Sequence, residues 1–174
     1  MPPWGTISNI EASRHDKGTA YISVDLHQMG NFDPYIYKTE DYGKSWKMIS
    51  KNIPKSYSSF VHVVREDHKT PGVLYAGTDN GLYVSVDDGN KWTRIKNNLP
   101  PAPIYWISLQ KRFDDMVVGT YGRGIYILDD ISPFREIAEI NPDKPSLLPI
   151  QDAYRFQTIQ SMKNDGTSLI RGCL

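Results

Sequence analysis

One eight-residue pattern occurs twice in this chain, at a spacing that a repeated structural unit explains. Thr39-Glu-Asp-Tyr-Gly-Lys-Ser-Trp46 returns as Ser85-Val-Asp-Asp-Gly-Asn-Lys-Trp92, and both copies fit Ser/Thr-x-Asp-x-Gly-x-x-Trp. Trp46 and Trp92 are 46 residues apart, and self-similarity at a period of this size marks a repeat architecture before any propensity argument begins. Each copy follows a short apolar run, Tyr35-Ile-Tyr37 or Gly81-Leu-Tyr-Val84, and leads into another, Trp46-Lys-Met-Ile49 or Trp92-Thr-Arg-Ile95. The pattern therefore reads as a hairpin turn used once per unit.

The residue types suit that task. Asp41 and Asp87 can accept hydrogen bonds from backbone N–H groups of their own turn. Gly43 and Gly89 supply the positive φ that a tight turn needs. Thr39 and Ser85 open the turns, and Trp46 and Trp92 begin the next strand with a ring large enough to fill the space between two sheets. All eight residues are expected to serve structure, and Asp41 and Asp87 are not expected to form a catalytic acid pair.

Extending the repeat gives three units. Strands are expected near 7–12, 19–25, 35–39 and 45–50, then near 60–65, 73–77, 81–85 and 91–96, then near 104–109, 116–120, 124–128 and 134–137. Tyr37, Tyr83 and Tyr126 anchor the third strands at separations of 46 and 43 residues. Four antiparallel strands at this period make a propeller blade, so the expected class is all-β, a partial β-propeller with blades at about 6–52, 58–99 and 103–137. Closed propellers use ~4–8 blades, so the remaining blades of a larger parent protein are expected partners. In the third unit Asp130 occupies the turn-aspartate position, but no glycine follows and Pro133 removes a ladder donor. Residues 138–174 read as a linker and the start of a following region.

Composition narrows the partners. Lys and Arg together number 20, as do Asp and Glu, so the net charge is zero, which argues against nucleic acid or an anionic membrane surface. Cys173 is the single cysteine, so no intrachain disulfide can form. No apolar run approaches a membrane span, and Met1-Pro-Pro-Trp-Gly5 lacks the basic start and apolar stretch of a signal peptide.

At its repeated turns the chain resembles the Asp-box or BNR-repeat β-propellers, which include sialidases, xyloglucan-hydrolysing glycoside hydrolases and the sortilin ligand-binding domain. Val64-Arg-Glu-Asp-His-Lys-Thr-Pro-Gly-Val-Leu-Tyr-Ala-Gly-Thr78 and Val118-Gly-Thr-Tyr-Gly-Arg-Gly-Ile-Tyr-Ile-Leu-Asp-Asp130 resemble bacterial proteins described as glycosyl hydrolases with BNR repeats or as sortilin-like. The resemblance covers about residues 6–137 and implies a secreted or periplasmic parent. It also implies that ligands meet the face formed by the strand 2–3 and strand 4–1 connections, with the repeated turns on the opposite face.

On that face, the stretch between Tyr21 and Tyr37 is twice as long as its counterpart between Tyr75 and Tyr83, and long insertions on rigid scaffolds are where function concentrates. Asp25 and Asp33 are the catalytic candidates, as members of a carboxylate pair for glycoside hydrolysis. His27, Phe32 and Tyr35 are candidate ligand contacts, the two rings as sugar-stacking surfaces. Against this, Asp33 opens an Asp-Pro sequence, an ordinary turn initiator. Arg123, in Thr120-Tyr-Gly-Arg-Gly124, can grip a carboxylate or sugar hydroxyls through its planar fork, with a structural role between blades as the alternative. Tyr57, Tyr105 and Trp106 read as packing residues, His62 as a core histidine, and His15 and His68 lie on the far face. Neither a metal site nor a cofactor is expected. The two competing functions are a carbohydrate-active propeller fragment, inactive by itself, and a sortilin-like propeller that grips a peptide or protein ligand.

Overall fold

The computed structural model describes residues 2–137 together with Ile140, Leu147 and Leu148. The expectations for 138–174 fall outside the described residues apart from those three. Three antiparallel sheets follow one another along the chain, each with its strands in sequence order. The first holds β1 (Thr6–Ala12), β2 (Ala20–Leu26), β3 (Asn31–Thr39) and β4 (Lys47–Met48). The second holds β5 (Val61–Glu66), β6 (Leu74–Thr78), β7 (Gly81–Ser85) and β8 (Thr93–Ile95). The third holds β9 (Ile104–Gln110), β10 (Asp115–Thr120) and β11 (Ile125–Leu128), and is followed by helix α1 (Ser132–Ile137).

Strand alternation sends successive side chains to opposite faces, and the second sheet is buried on both. Val61, Val64, Leu74, Ala76, Tyr83 and Trp92 pack on Tyr21, Ile36 and Ile49 of the first sheet. Val63, Val73, Tyr75, Leu82, Val84 and Ile95 pack on Ile104, Ile107, Met116 and Val118 of the third. The sheets are thus stacked face to face as consecutive blades of a β-propeller. The repeated turns also dock alike. The N–H of Tyr42 donates to Gly18 O at 3.0 Å, Asp88 N–H to Gly72 O at 2.9 Å and Ile131 N–H to Asp114 O at 2.7 Å.

Two expectations are corrected. The segment after Asp25 is not a long open loop: β2 runs to Leu26, a short 3-10 turn covers His27–Met29, and β3 already begins at Asn31. The extra residues are taken up as a register shift, since Leu26 pairs with Asn31 and Val24 with Tyr35. Ser50 Oγ holds the irregular stretch by donating to Pro34 O at 2.7 Å and accepting the Ile36 N–H at 3.0 Å.

The strand expected at 134–137 is a helix instead. The Asp130 carboxylate accepts both the N–H (3.0 Å) and the hydroxyl (2.5 Å) of Ser132, which turns the chain. Pro133 then sits in the first helical turn, where its missing donor costs nothing. Phe134 packs edge-on to Tyr75 of the second sheet at 6.0 Å. Arg135 binds Asp67 at 2.9 and 3.0 Å and Asp114 at 3.0 Å.

Candidate functional site

The strand 2–3 and 4–1 connections share one end of the stack. Asp79, just after β6, donates its N–H to Phe60 O at 3.1 Å, and Tyr121, just after β10, donates to Pro103 O at 2.9 Å. Each sheet carries a register shift between its first two strands, skipping Ser8, His62 and Tyr105 in turn. Such bulges re-aim a side chain. Here they bring His62 and Tyr105 from neighbouring sheets into a stack, with centroids 4.1 Å apart and planes at 23°.

That stack is the middle of a band of rings crossing all three sheets. Tyr57 meets Phe32 edge-on at 5.7 Å, Phe32 meets Phe60 at 6.1 Å, Phe60 meets His62 at 5.0 Å, and Tyr105 meets Tyr121 at 5.5 Å. The ends of the band, Tyr57 and Tyr121, face solvent at 86% and 72% exposed, and Tyr105 next to Tyr121 is 50% exposed, while Phe60 is only 7% exposed. His27 lies flat over Phe60, centroids 4.7 Å apart.

Three carboxylates border the band, each with a basic partner. Asp25 Oδ2 lies 2.6 Å from His27 Nδ1, and its Oδ1 accepts the His27 N–H at 2.8 Å. Asp79 Oδ1 lies 3.2 Å from His62 Nε2. Asp33 pairs with Lys55 Nζ, and this hydrogen bond raises the lysine above its usual range. Asn31, Phe32, Asp33, Lys55, Ser56 and Tyr57 line an open hollow of about 600 Å³ at the Tyr57 end.

The structure therefore gathers Asp25, His27, Phe32 and Asp33 on this face, though Asp25 and Asp33 have different partners. Tyr35 is separate: its hydroxyl accepts Asn31 Nδ2 at 2.9 Å, and its ring stacks on Tyr37 at 6.4 Å against the first sheet's core. Arg123 is exposed in the β10–β11 connection, rather than between two of the described sheets. Tyr57, Tyr105 and Trp106, read from sequence as packing residues, are exposed instead. Trp106 carries the Arg65 guanidinium 4.4 Å above its ring, beside a cavity of about 360 Å³ that also contains Glu11 and Arg14. Asp79, Phe60 and Tyr121 were not singled out. Their only signal is position, immediately before β5 or after β6 and β10, and the bulges that align them leave no mark in the residue order.

The repeated turns lie apart from the ring band. Thr39 Oγ1 donates to Asp41 Oδ1 at 2.8 Å and accepts the Gly43 N–H at 2.9 Å, and the Ser45 N–H donates to Asp41 Oδ1 at 2.8 Å. Ser85, Asp87, Gly89 and Lys91 repeat these bonds at 2.8, 2.9 and 2.8 Å. Hydrogen bonds from the Ser45 hydroxyl and N–H and from Thr39 hold the Asp41 carboxyl down at about 2, so at neutral pH it has no proton to give. Among the described residues no group of three or more His, Cys, Asp or Glu is arranged to hold a metal ion. No helix among them is long and apolar enough to cross a membrane.

No protein-family model matches the chain, and no curated protein matches it in sequence. Solved structures do match in fold. A GH74 enzyme from Niastella koreensis aligns with a TM-score of 0.56 at 15% identity, over 71% of this chain and 21% of that one. An ancestral GH74 enzyme aligns with a TM-score of 0.54 at 16% identity, over 68% of this chain and 14% of that one. The GH74 xyloglucanase from Xanthomonas campestris aligns with a TM-score of 0.50 at 15% identity, over 64% and 18%. The chain thus spans about a fifth or less of these proteins' length. What it shares with them is the β-propeller fold, of which it forms three consecutive blades.

Proposed function

We propose that this chain is part of an Asp-box propeller from a secreted, glycoside-hydrolase-like protein, and that its ring-lined face binds a polysaccharide of the xyloglucan type. The observation that carries this reading is the band from Tyr57 to Tyr121. Pyranose rings present apolar C–H faces that lie on exposed aromatic rings, and a band crossing three sheets suits an extended chain better than a compact ligand. Asp25, Asp33 and Asp79 supply acceptors for sugar hydroxyls along the same path. The GH74 structures with the same fold favour a carbohydrate over a peptide as the first ligand to try.

Turnover by the isolated chain is not expected. Glycoside hydrolysis needs two carboxyl groups facing one bond ~5–9.5 Å apart. Here Asp25 is engaged by His27 and Asp33 by Lys55, and a misplacement of about 1 Å can cost ~10²-fold in rate. In affinity electrophoresis the chain should be retarded by xyloglucan, and Tyr57→Ala and Tyr105→Ala should each weaken retention without lowering thermal stability. Reducing-sugar release by the parent, with Asp25→Ala and Asp33→Ala alongside, tests whether these carboxylates also serve catalysis. No retardation by xyloglucan or other β-glucans would refute the reading and turn the search to peptide ligands.

A further inference from the structure

The middle of the ring band is closed. Phe60 sits between Phe32 on the Tyr57 side and His62 on the Tyr105 side, yet it is 7% exposed. Its cover is His27, whose imidazole lies within 22° of parallel at a centroid distance of 4.7 Å. That is the position a pyranose ring would take on the same phenyl face.

Resting on the polysaccharide reading above, we propose that Phe60 is a further sugar platform and that His27 is its removable cover, displaced by a ligand long enough to reach both ends of the band. The local structure allows the movement. His27 belongs to a three-residue 3-10 turn that buries none of its residues, and Met29 beside it is 59% exposed. The turn ends at Gly30, with φ +75° and open space around the position a Cβ would occupy. Two bonds hold His27 to Asp25, one from the side chain and one from the backbone N–H. Rotation about χ1 breaks the first and leaves the second, so the turn stays anchored while the imidazole leaves Phe60.

The ligand this selects is an extended oligosaccharide of several pyranose rings. A short sugar resting on Tyr57 or on Tyr105 gains nothing from Phe60. A longer one must cross it, and there it meets the covering imidazole. His27 thus acts against binding, the opposite of a contact residue, and Asp25 sets how firmly the cover is held.

The test is calorimetric titration of the full chain with cellohexaose and with cellobiose. It compares wild type, His27→Ala and His27→Ala/Phe60→Leu, with thermal melts of each. His27→Ala should bind the hexasaccharide about three- to tenfold more tightly, the scale of one ring-stacking contact, with the disaccharide unchanged. Phe60→Leu should remove the gain. In the wild type, the His27 Hε1 proton resonance, shifted by the Phe60 ring, should move towards its random-coil position when the hexasaccharide binds. Weaker or unchanged hexasaccharide binding by His27→Ala would overturn the cover, as would a wild-type resonance that stays in place on binding. A gain that survives Phe60→Leu would overturn the platform. Absence of binding to every variant would remove the polysaccharide reading itself, an outcome distinct from the other failures.

Discussion

The indole N–H of Trp92 donates to the carbonyl of Ile49 in the neighbouring sheet at 2.8 Å, and the ring is 6% exposed. Trp46, its counterpart in the first copy of the motif, donates instead within its own turn, to Gly43 O at 3.1 Å, and is half-buried. One motif therefore makes the same turn twice, but among the described residues only the second copy clamps two sheets together.

Trp92→Ala should cost about 3–5 kcal/mol of stability, as for a large buried ring, and Trp46→Ala less than half as much. Urea unfolding of the two variants measures the difference. Equal costs would show that the tryptophan serves only its own turn.

The motif glycines should differ in the same direction. Both have left-handed backbone, with φ +84° at Gly43 and +81° at Gly89, so alanine strains either by about 1–2 kcal/mol. A Cβ on Gly89 would also lie 2.7 Å from Ile49 Cβ and Cδ1, whereas one on Gly43 meets only Trp46 Cζ2 at 3.7 Å. Overpacking adds about 1–3 kcal/mol, so Gly89→Ala should unfold at clearly lower urea than Gly43→Ala.

Arg135 joins α1 to two buried aspartates, Asp67 and Asp114, whose side chains are 0% and 5% exposed. Arg135→Met should cost about 3–5 kcal/mol, because removing one partner leaves buried charge uncompensated. Burial pushes both carboxyls up, but the hydrogen bonds and charge of Arg135 outweigh it, together with the Lys69 and Thr70 N–H groups at Asp67 and the Lys69 ammonium at Asp114. Asp67 ends below its ordinary value, and Asp114, also bonded by Lys69, is held at about 2. A carboxyl depressed in the folded state contributes its full stability above the unfolded value of about 4 and loses it as pH falls towards 2. Wild type should therefore lose more stability between pH 4 and pH 2 than Asp114→Asn, measured by urea unfolding across that range.

Alkali should act through two buried tyrosines. Burial, reinforced by the charges of Glu66 and Asp88, raises Tyr21 well above its ordinary value, and burial with the Asp67 charge does the same for Tyr75. A raised phenol is fully stabilising below about pH 10, where neither state ionises, and loses that contribution as pH rises towards the folded value. Each tyrosine should add a slope of about 1.4 kcal/mol per pH unit above pH 10. Tyr21→Phe and Tyr75→Phe should each flatten it, and an unchanged slope would contradict this assignment.

The legible part of the fold was the local part. The hydroxyl, carboxylate and glycine N–H that shape each turn, Thr39, Asp41 and Gly43 or Ser85, Asp87 and Gly89, bond to one another, so their order in the chain carries their geometry. The third unit shows the limit. Asp130 occupies the turn position, but one hydrogen-bonded serine and Pro133 convert the expected strand into α1, and Phe134 still reaches the second sheet from a helix. On the ring-lined face, the length of the stretch between Tyr21 and Tyr37 marked Asp25, His27, Phe32 and Asp33, while Tyr57 in a turn and Tyr105 in β9 passed for packing residues because an aromatic's place in the chain does not declare which way it faces.

The sequence by itself determined the repeat, the strand order within each sheet and the turn chemistry, because these rest on contacts between residues a few positions apart. Only the tertiary structure decided which rings form one surface. The bulges at His62 and Tyr105 shift strand register by one residue, and the stacking of three sheets then brings Tyr57, Phe60, Tyr105 and Tyr121 side by side. Those contacts link residues far apart in the chain through packing that no local pattern encodes.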